Sequence, residues 1–346
     1  MSDLTPNPKK AAFVTLLGRP SSGKSTLVNL LCGDHVAIVS PVPQTTRNAI
    51  RGIVNREQGQ LVLVDTPGVH QSDKKFNRRL TDTAFRSASE SDLILYVLDA
   101  TRAPGPEEEA IAKRCLASAS DAASFDDAAS LGPEGRLASF GDATLVAAVN
   151  KMDHSLADFN RAQTFLKEHF PELPDNRIIP ISAQKNEGTE KLLLTLFDLA
   201  PSGDPFYPED FSTDQEIDFR IAEIIRESAI HFLRQELPHS IYVEIADREL
   251  RGGANNGANN GADNNTDNNA NNGGRRLWVR AFIMCERESQ KGMIVGKGGK
   301  LIKAIGEISR KELNRIFDRK VDLDLRVKTG KDWRHNDRVL KKLLDG

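Results

Sequence analysis

Three cysteines in 346 residues, Cys32, Cys115 and Cys285, are too few and too scattered for a disulfide framework or a thiolate metal site, which points to a reducing compartment. Long apolar runs are missing as well. Nothing approaches the ~20 residues that a membrane span needs. The opening MSDLTPNPKK is polar and does not suit a secretion signal. A cytoplasmic protein is therefore expected. Net charge is nearly absent, at −2, but this hides an asymmetry. From Arg275 onward about 20 Lys and Arg face about 10 Asp and Glu, while the preceding residues carry about 27 against 39. An acidic front and a basic tail suit a tail that meets a polyanion, although a merely solvated basic surface fits the charge equally well.

The length suits two domains. Apolar runs at 13–18, 61–65, 93–99, 145–151 and 177–183 alternate with helical spacing such as STLVNLLCG at 25–33. Near-continuous apolar strands between helices predict an α/β domain with a mostly parallel sheet covered on both faces. Ligands of such sheets bind beyond the carboxyl ends of the strands. This domain is expected over 1–200, with an Ala/Ser/Asp/Gly-rich inserted loop at about 117–142. The Pro-rich stretch 201–215 is read as a linker. Residues 216–346 read helix, strand, strand, helix, helix, strand, an α+β pattern. An Asn/Gly tract at about 251–274 enlarges the hairpin tip between its first two strands.

GRPSSGKS at 18–25 follows a strand and opens a helix, the setting of a phosphate-binding loop. Gly18 and Gly23 let backbone N–H groups wrap a phosphate, Lys24 brings charge to the outer phosphates, and Ser25 offers a hydroxyl to magnesium. Arg19, Pro20, Ser21 and Ser22 complete the loop. The strand LVLVD ends in Asp65, which is expected to hold magnesium through water. Thr66, Pro67, Gly68 and Val69 follow, and the Gly68 N–H can approach the γ-phosphate. NKMD supplies Asn150, Lys151, Met152 and Asp153. A carboxylate at Asp153 pairs with the ring N–H and amino group of guanine, where adenine would leave it unpaired. Asn150 would tie the base to the phosphate loop, and the Lys151 stem would cover the base. Ser182, Ala183 and Gln184 add a backbone N–H, from Ala183, for the guanine carbonyl. Between these motifs, PQTTR at 43–47 offers Thr46, favoured over Thr45, as a magnesium ligand on a loop that orders with the γ-phosphate. Lys24, Thr46 and Gly68 are the residues expected to act in hydrolysis.

The basic half carries MIVGKGGKLIKAIG at 293–306. Gly296, Lys297, Gly298 and Gly299, with Lys300, form a G-x-x-G clamp between two helices, suited to about four nucleotides of single-stranded RNA. Leu301, Ile305, Ile308 and Ile316 share a helix face and are read as core.

The order of these motifs follows the translation-factor class of GTPases. QTTR, DTPGVH, PFYPED and AEIIRE (222–227) resemble the Era GTPase family in particular, over nearly the whole chain apart from the two insertions. The resemblance implies a P-loop GTPase domain followed by a type II KH domain, with GTP, GDP and Mg2+ as ligands. It also implies binding to the 3′ end of 16S ribosomal RNA, assistance to 30S subunit assembly, a monomeric state, and a cytoplasmic location with peripheral association at the inner membrane. Val69 stands where Ras-like switches carry a water-positioning glutamine; the Era family resembles the GTPases with an apolar residue there, in which water must be held by backbone groups, a partner or a cation, so slow intrinsic hydrolysis is expected. One departure from the family matters. Ser21 stands where many relatives carry an asparagine that helps hold potassium; its hydroxyl is a shorter and weaker substitute, so K+ stimulation is not expected. A binding module that uses GTP as a structural ligand remains the alternative. An ATP-dependent enzyme is disfavoured by NKMD.

Overall fold

The computed structural model describes residues 8–69, 75–116, 136–137, 143–251, 276–331 and 333–344. Most of the two expected insertions lies outside the described residues, as does His70. The chain divides into two compact units, one of residues 1–215 with 334–346 and the other of 216–333.

The first unit is built on β1 (Lys10–Leu17), β2 (Ile50–Arg56), β3 (Gly59–Asp65), β4 (Leu93–Asp99), β5 (Arg136–Leu137), β6 (Ala143–Asn150) and β7 (Ile178–Pro180). The sheet runs β2-β3-β1-β4-β6, and β6 also pairs with β5 and β7. Pairing is parallel except at β2–β3 and β5–β6. Every residue of β4 is buried because side chains alternate between two cores. Leu93, Leu95 and Val97 face the core shared with α1 (Lys24–Cys32) and α5 (Thr189–Leu199). Ile94, Tyr96 and Leu98 face the core shared with α2 (Lys75–Ser89), α3 (Pro106–Leu116) and α4 (Phe159–His169). The strands end level: Leu16 lies beside Asp65, and Asp99 beside Asn150. One edge of the sheet thus collects the phosphate loop, two carboxylates and an amide.

Residues 201–215 pass the start of β1, where the Ala11 N–H bonds Pro201 O at 3.0 Å, then β3, and from Glu209 onward run along β2. The buried Gln60 side chain accepts the Phe206 and Tyr207 N–H groups on Oε1, at 2.8 and 2.9 Å. The Ile53 N–H reaches Ser212 O at 2.8 Å. Ser212 Oγ donates to Asp34 at 2.6 Å, and Gln215 Nε2 donates to Val36 O at 2.9 Å.

The second unit holds α6 (Ile217–Phe232), α7 (Leu237–Ser240), β8 (Ile241–Arg251), β9 (Arg276–Cys285), α8 (Glu288–Val295), α9 (Lys300–Ile316) and β10 (Val321–Thr329). β9 lies between β8, antiparallel, and β10, parallel. This is the α-β-β-α-α-β order of a type II KH domain. Its core joins Ile221, Ile224 and Ile225 to Val279, Ile283, Ile305 and Leu313. The first helix ends at Phe232, before a short α7 that carries Pro238 near its start. One detail differs from the sequence reading. Ile308 is 41% exposed rather than core, because the buried line along α9 runs Ile305, Ser309, Leu313 at four-residue steps. A helix α10 (Asp337–Leu344) follows. No helix among the described residues is long and apolar enough to cross a membrane.

Candidate functional site

A cleft of about 620 Å³ opens at the carboxyl ends of the strands. Arg19, Pro20, Ser21, Gly23, Lys24 and Ser25 line it, together with Thr46, Gly68 and Lys151. The phosphate loop turns sharply from β1 into α1. Lys24 is buried, and its Nζ donates to the Gly18 and Arg19 carbonyls, each at 3.0 Å. Burial lowers its pKa from the ordinary lysine value to about 8, against the opposing pull of Asp65. It is a desolvated cation lacking a full counter-charge, which is what an incoming phosphate supplies.

Three oxygens meet beside it. Ser25 Oγ donates to Asp65 Oδ2 at 2.6 Å, Thr46 Oγ1 to the same oxygen at 3.3 Å, and the two hydroxyls are 3.0 Å apart. Thr45 is turned elsewhere, with its hydroxyl on Val42 O at 2.6 Å. Burial pushes the Asp65 carboxyl up, while Lys24, Ser25 and Thr46 pull it down. Asp65 Oδ1 is buried with no hydrogen-bond partner among the described residues. Hard oxygen donors around a buried, half-satisfied carboxylate suit a magnesium ion.

Beyond Asp65, Thr66 Oγ1 donates to Leu16 O at 2.6 Å and fixes the strand end. At Gly68 a Cβ would come within 2.5 Å of the Pro20 backbone, so Thr66-Pro67-Gly68 can pack on the phosphate loop only with glycine there. Val69 donates its N–H to Gly18 O at 3.1 Å, and its side chain is buried in the apolar core, away from the cleft.

The base side is equally bound up. Asn150 Nδ2 donates to Ser22 O at 2.9 Å, and its Oδ1 accepts the Ala183 N–H at 3.0 Å. One side chain thus joins the phosphate loop to the 182–184 loop. The Ala183 N–H, expected on the guanine carbonyl, is engaged by Asn150 here. Asp153 accepts Ser182 Oγ at 2.7 Å, and that bond holds its carboxyl below the usual range. Met152 donates its N–H to Ile181 O at 3.1 Å and packs partly on the core, while Gln184 is exposed. The Arg19 side chain does not face the cleft centre. Its guanidinium lies 3.1 Å from Glu108 and 3.5 Å from Asp99, close enough for ion pairs though not aligned for hydrogen bonds. Asp99 and Glu108 are the charged residues that the motif reading missed. LILYVLD ends in a carboxylate as LVLVD does, and that parallel was the available signal.

In the second unit, Gly296, Lys297, Gly298 and Gly299 cross from α8 to α9. Gly296, Gly298 and Gly299 have φ of 73°, 61° and 74°. A Cβ at 298 or 299 would meet nothing within 4 Å, so the backbone conformation, not crowding, calls for glycine there. Lys297 and Lys300 are exposed on either side.

Two family models match the sequence: 50S ribosome-binding GTPase over residues 13–122 and KH domain over 262–334. The chain is 40% identical over 333 residues to GTPase Era of Treponema denticola, covering 96% of this chain and 99% of that one. It is 39% identical over 336 residues to GTPase Era of Borrelia garinii subsp. bavariensis, covering 97% and 100%. Two solved structures are similar at 31% identity, each covering 97% of this chain and 98% of its own. One is a single-substitution variant of Aquifex aeolicus Era bound to GDP·AlF4−, with TM-score 0.77. The other, with TM-score 0.78, is Era in complex with MgGDPNP and nucleotides 1506–1542 of 16S ribosomal RNA.

Proposed function

We propose a function from one premise: this chain belongs to the Era family of GTPases. It hydrolyses GTP to GDP and phosphate and carries a KH domain after its GTPase domain. In our reading the GTPase domain spans 1–200, residues 201–215 link it to the KH domain, and the KH domain takes 216–346.

The nucleotide enters the cleft with its phosphates in the 18–25 loop. Lys24 gives up its carbonyl contacts for the outer phosphates and regains full protonation. Ser25 and Thr46 would hold magnesium, with Asp65 behind them reaching it through water; the ion, when bound, would neutralise charge on the phosphate oxygens. Gly68, pinned against Pro20, offers its N–H to the γ-phosphate. Asp153, oriented by Ser182, accepts the ring N–H and amino group of guanine and discriminates against adenine. Val69 is committed to the core and has no group to orient water, so intrinsic turnover is slow. Ser21 makes potassium a weak stimulant at most.

The KH loop grips unpaired RNA through the backbone of 296–299 and the charges of Lys297 and Lys300. The partner is the 3′ end of 16S ribosomal RNA, the RNA present in the similar complex, and the task is assembly of the 30S subunit. The protein acts as a monomer in the cytoplasm and associates peripherally with the inner membrane. The meeting of Ser25, Thr46 and Asp65 beside Lys24, from stretches far apart in the chain, carries the nucleotide part of this reading. Crosslinking to cellular RNA with GTP or GDP present tests the whole. Contacts at Lys297 and Lys300 to the 16S 3′ end, changed by guanine nucleotide and not by ATP, are expected. Equal response to ATP, or contacts elsewhere, overturns it.

A further inference from the structure

Lys151 is held in an uncommon backbone state, with φ of 67° on a side chain that carries a Cβ. Its Nζ donates to Asp99 Oδ2 at 2.7 Å. Asp99 ends β4, level with Asn150 on β6, and its side chain is almost wholly buried. The other oxygen, Oδ1, accepts both the Thr101 N–H at 3.0 Å and Thr101 Oγ1 at 2.6 Å. With both oxygens engaged, the carboxylate cannot turn. Burial alone would push its carboxyl up, yet Lys151 and Thr101 hold it below the usual range. Arg19 of the phosphate loop stands 3.5 Å from Asp99 Oδ2, and its Nε is 3.1 Å from the buried Glu108. Glu108 is itself fixed, accepting the Gly105 N–H at 3.0 Å. Four alternating charges, Lys151, Asp99, Arg19 and Glu108, therefore run from the base side of the cleft to the phosphate loop. No guanine-nucleotide motif in the chain includes Asp99.

We propose that Asp99 is a positioning residue for guanine recognition: it anchors the Lys151 ammonium so that the lysine stem is laid along the base, and through Arg19 it joins that stem to the phosphate loop. The inference rests on reading 150–153 as the guanine site. An unanchored lysine would sample many rotamers and cover the base only part of the time, so nucleotide binding weakens while the chemical step does not.

The test uses the full-length chain, with GTP turnover and titration by a fluorescent GDP. Asp99→Asn is expected to raise KM for GTP and Kd for GDP about tenfold with kcat within about twofold. Lys151→Met is expected to do the same, and the double variant is expected to be no worse than either alone, because both remove one interaction. Thr101→Val keeps the charge and the backbone N–H bond to Oδ1 but removes the hydroxyl that helps hold the carboxylate; a rise of about threefold in Kd is expected, and this variant serves if Asp99→Asn fails to fold. Unchanged KM in Asp99→Asn, a fall in kcat alone, multiplying effects in the double variant, or unchanged Kd in Thr101→Val overturns the proposal. Wild-type binding of GDP over ADP is measured first; its failure would sink the guanine reading rather than the role of Asp99.

Discussion

Two glycine–lysine loops in this molecule open helices and are assigned to bind phosphates, yet they are built in opposite ways. At 18–25 the lysine is buried, its nitrogen occupied by carbonyls and its pKa lowered by desolvation. Asn150 ties the neighbouring backbone to a second loop. At 296–300 the lysines stand in solvent, and a side chain at 298 or 299 would project into open space. The first loop is fixed before its ligand arrives, which favours discrimination among ligands of fixed shape. The second can adapt to a flexible strand and works mainly by charge.

The contrast breaks most severely at Asp153. Asp153→Asn should weaken GDP binding on the order of 10³-fold, read by titration, and leave RNA binding by the nucleotide-free chain unchanged. Next comes Lys24→Ala, expected to cut single-turnover hydrolysis by about 10²–10³-fold because it removes the buried ammonium assigned to the outer phosphates. pH sharpens the comparison further. Free Lys24 titrates at about 8, and bound phosphate raises that value. Binding therefore takes up a proton once pH exceeds about 8: GTP affinity should be flat below it and fall by up to about tenfold per unit just above it. In the open loop, Lys297→Ala with Lys300→Ala should weaken RNA binding several-fold and reduce the salt slope by about 0.7 per lysine. The smallest effect on chemistry is expected from Val69→Ala, with turnover within about threefold of wild type and a stability loss of ~2 kcal/mol by denaturant melts, since the side chain is core. A fall in turnover as large as that of Lys24→Ala would mean that Val69 acts in hydrolysis.

The parallel strands and the motifs at their ends were legible because buried strands are uniformly apolar and the phosphate loop, Asp65 and NKMD have fixed spacing. β2 was not, since IRGIVNR mixes charge with apolar residues, as the outermost strand of a sheet can. Ile308 misled because a four-residue step along α9 rotates it out of the buried line. Side-chain direction was also hidden: Arg19 sits inside a phosphate-binding motif, yet its guanidinium serves Glu108 and Asp99. Partners that distant in sequence become visible only when the strands are laid side by side.

The mooring of residues 212–215 has a mechanical consequence. Asp34 and Val36, which hold Ser212 and Gln215, lie on the same irregular stretch as Thr46, between α1 and β2. A movement of that stretch bears directly on the Ser212–Asp34 and Gln215–Val36 bonds alone. The Ile53 N–H on Ser212 O and the Thr213 hydroxyl on Arg51 O, at 2.8 and 2.7 Å, do not involve it and keep the segment fastened to β2.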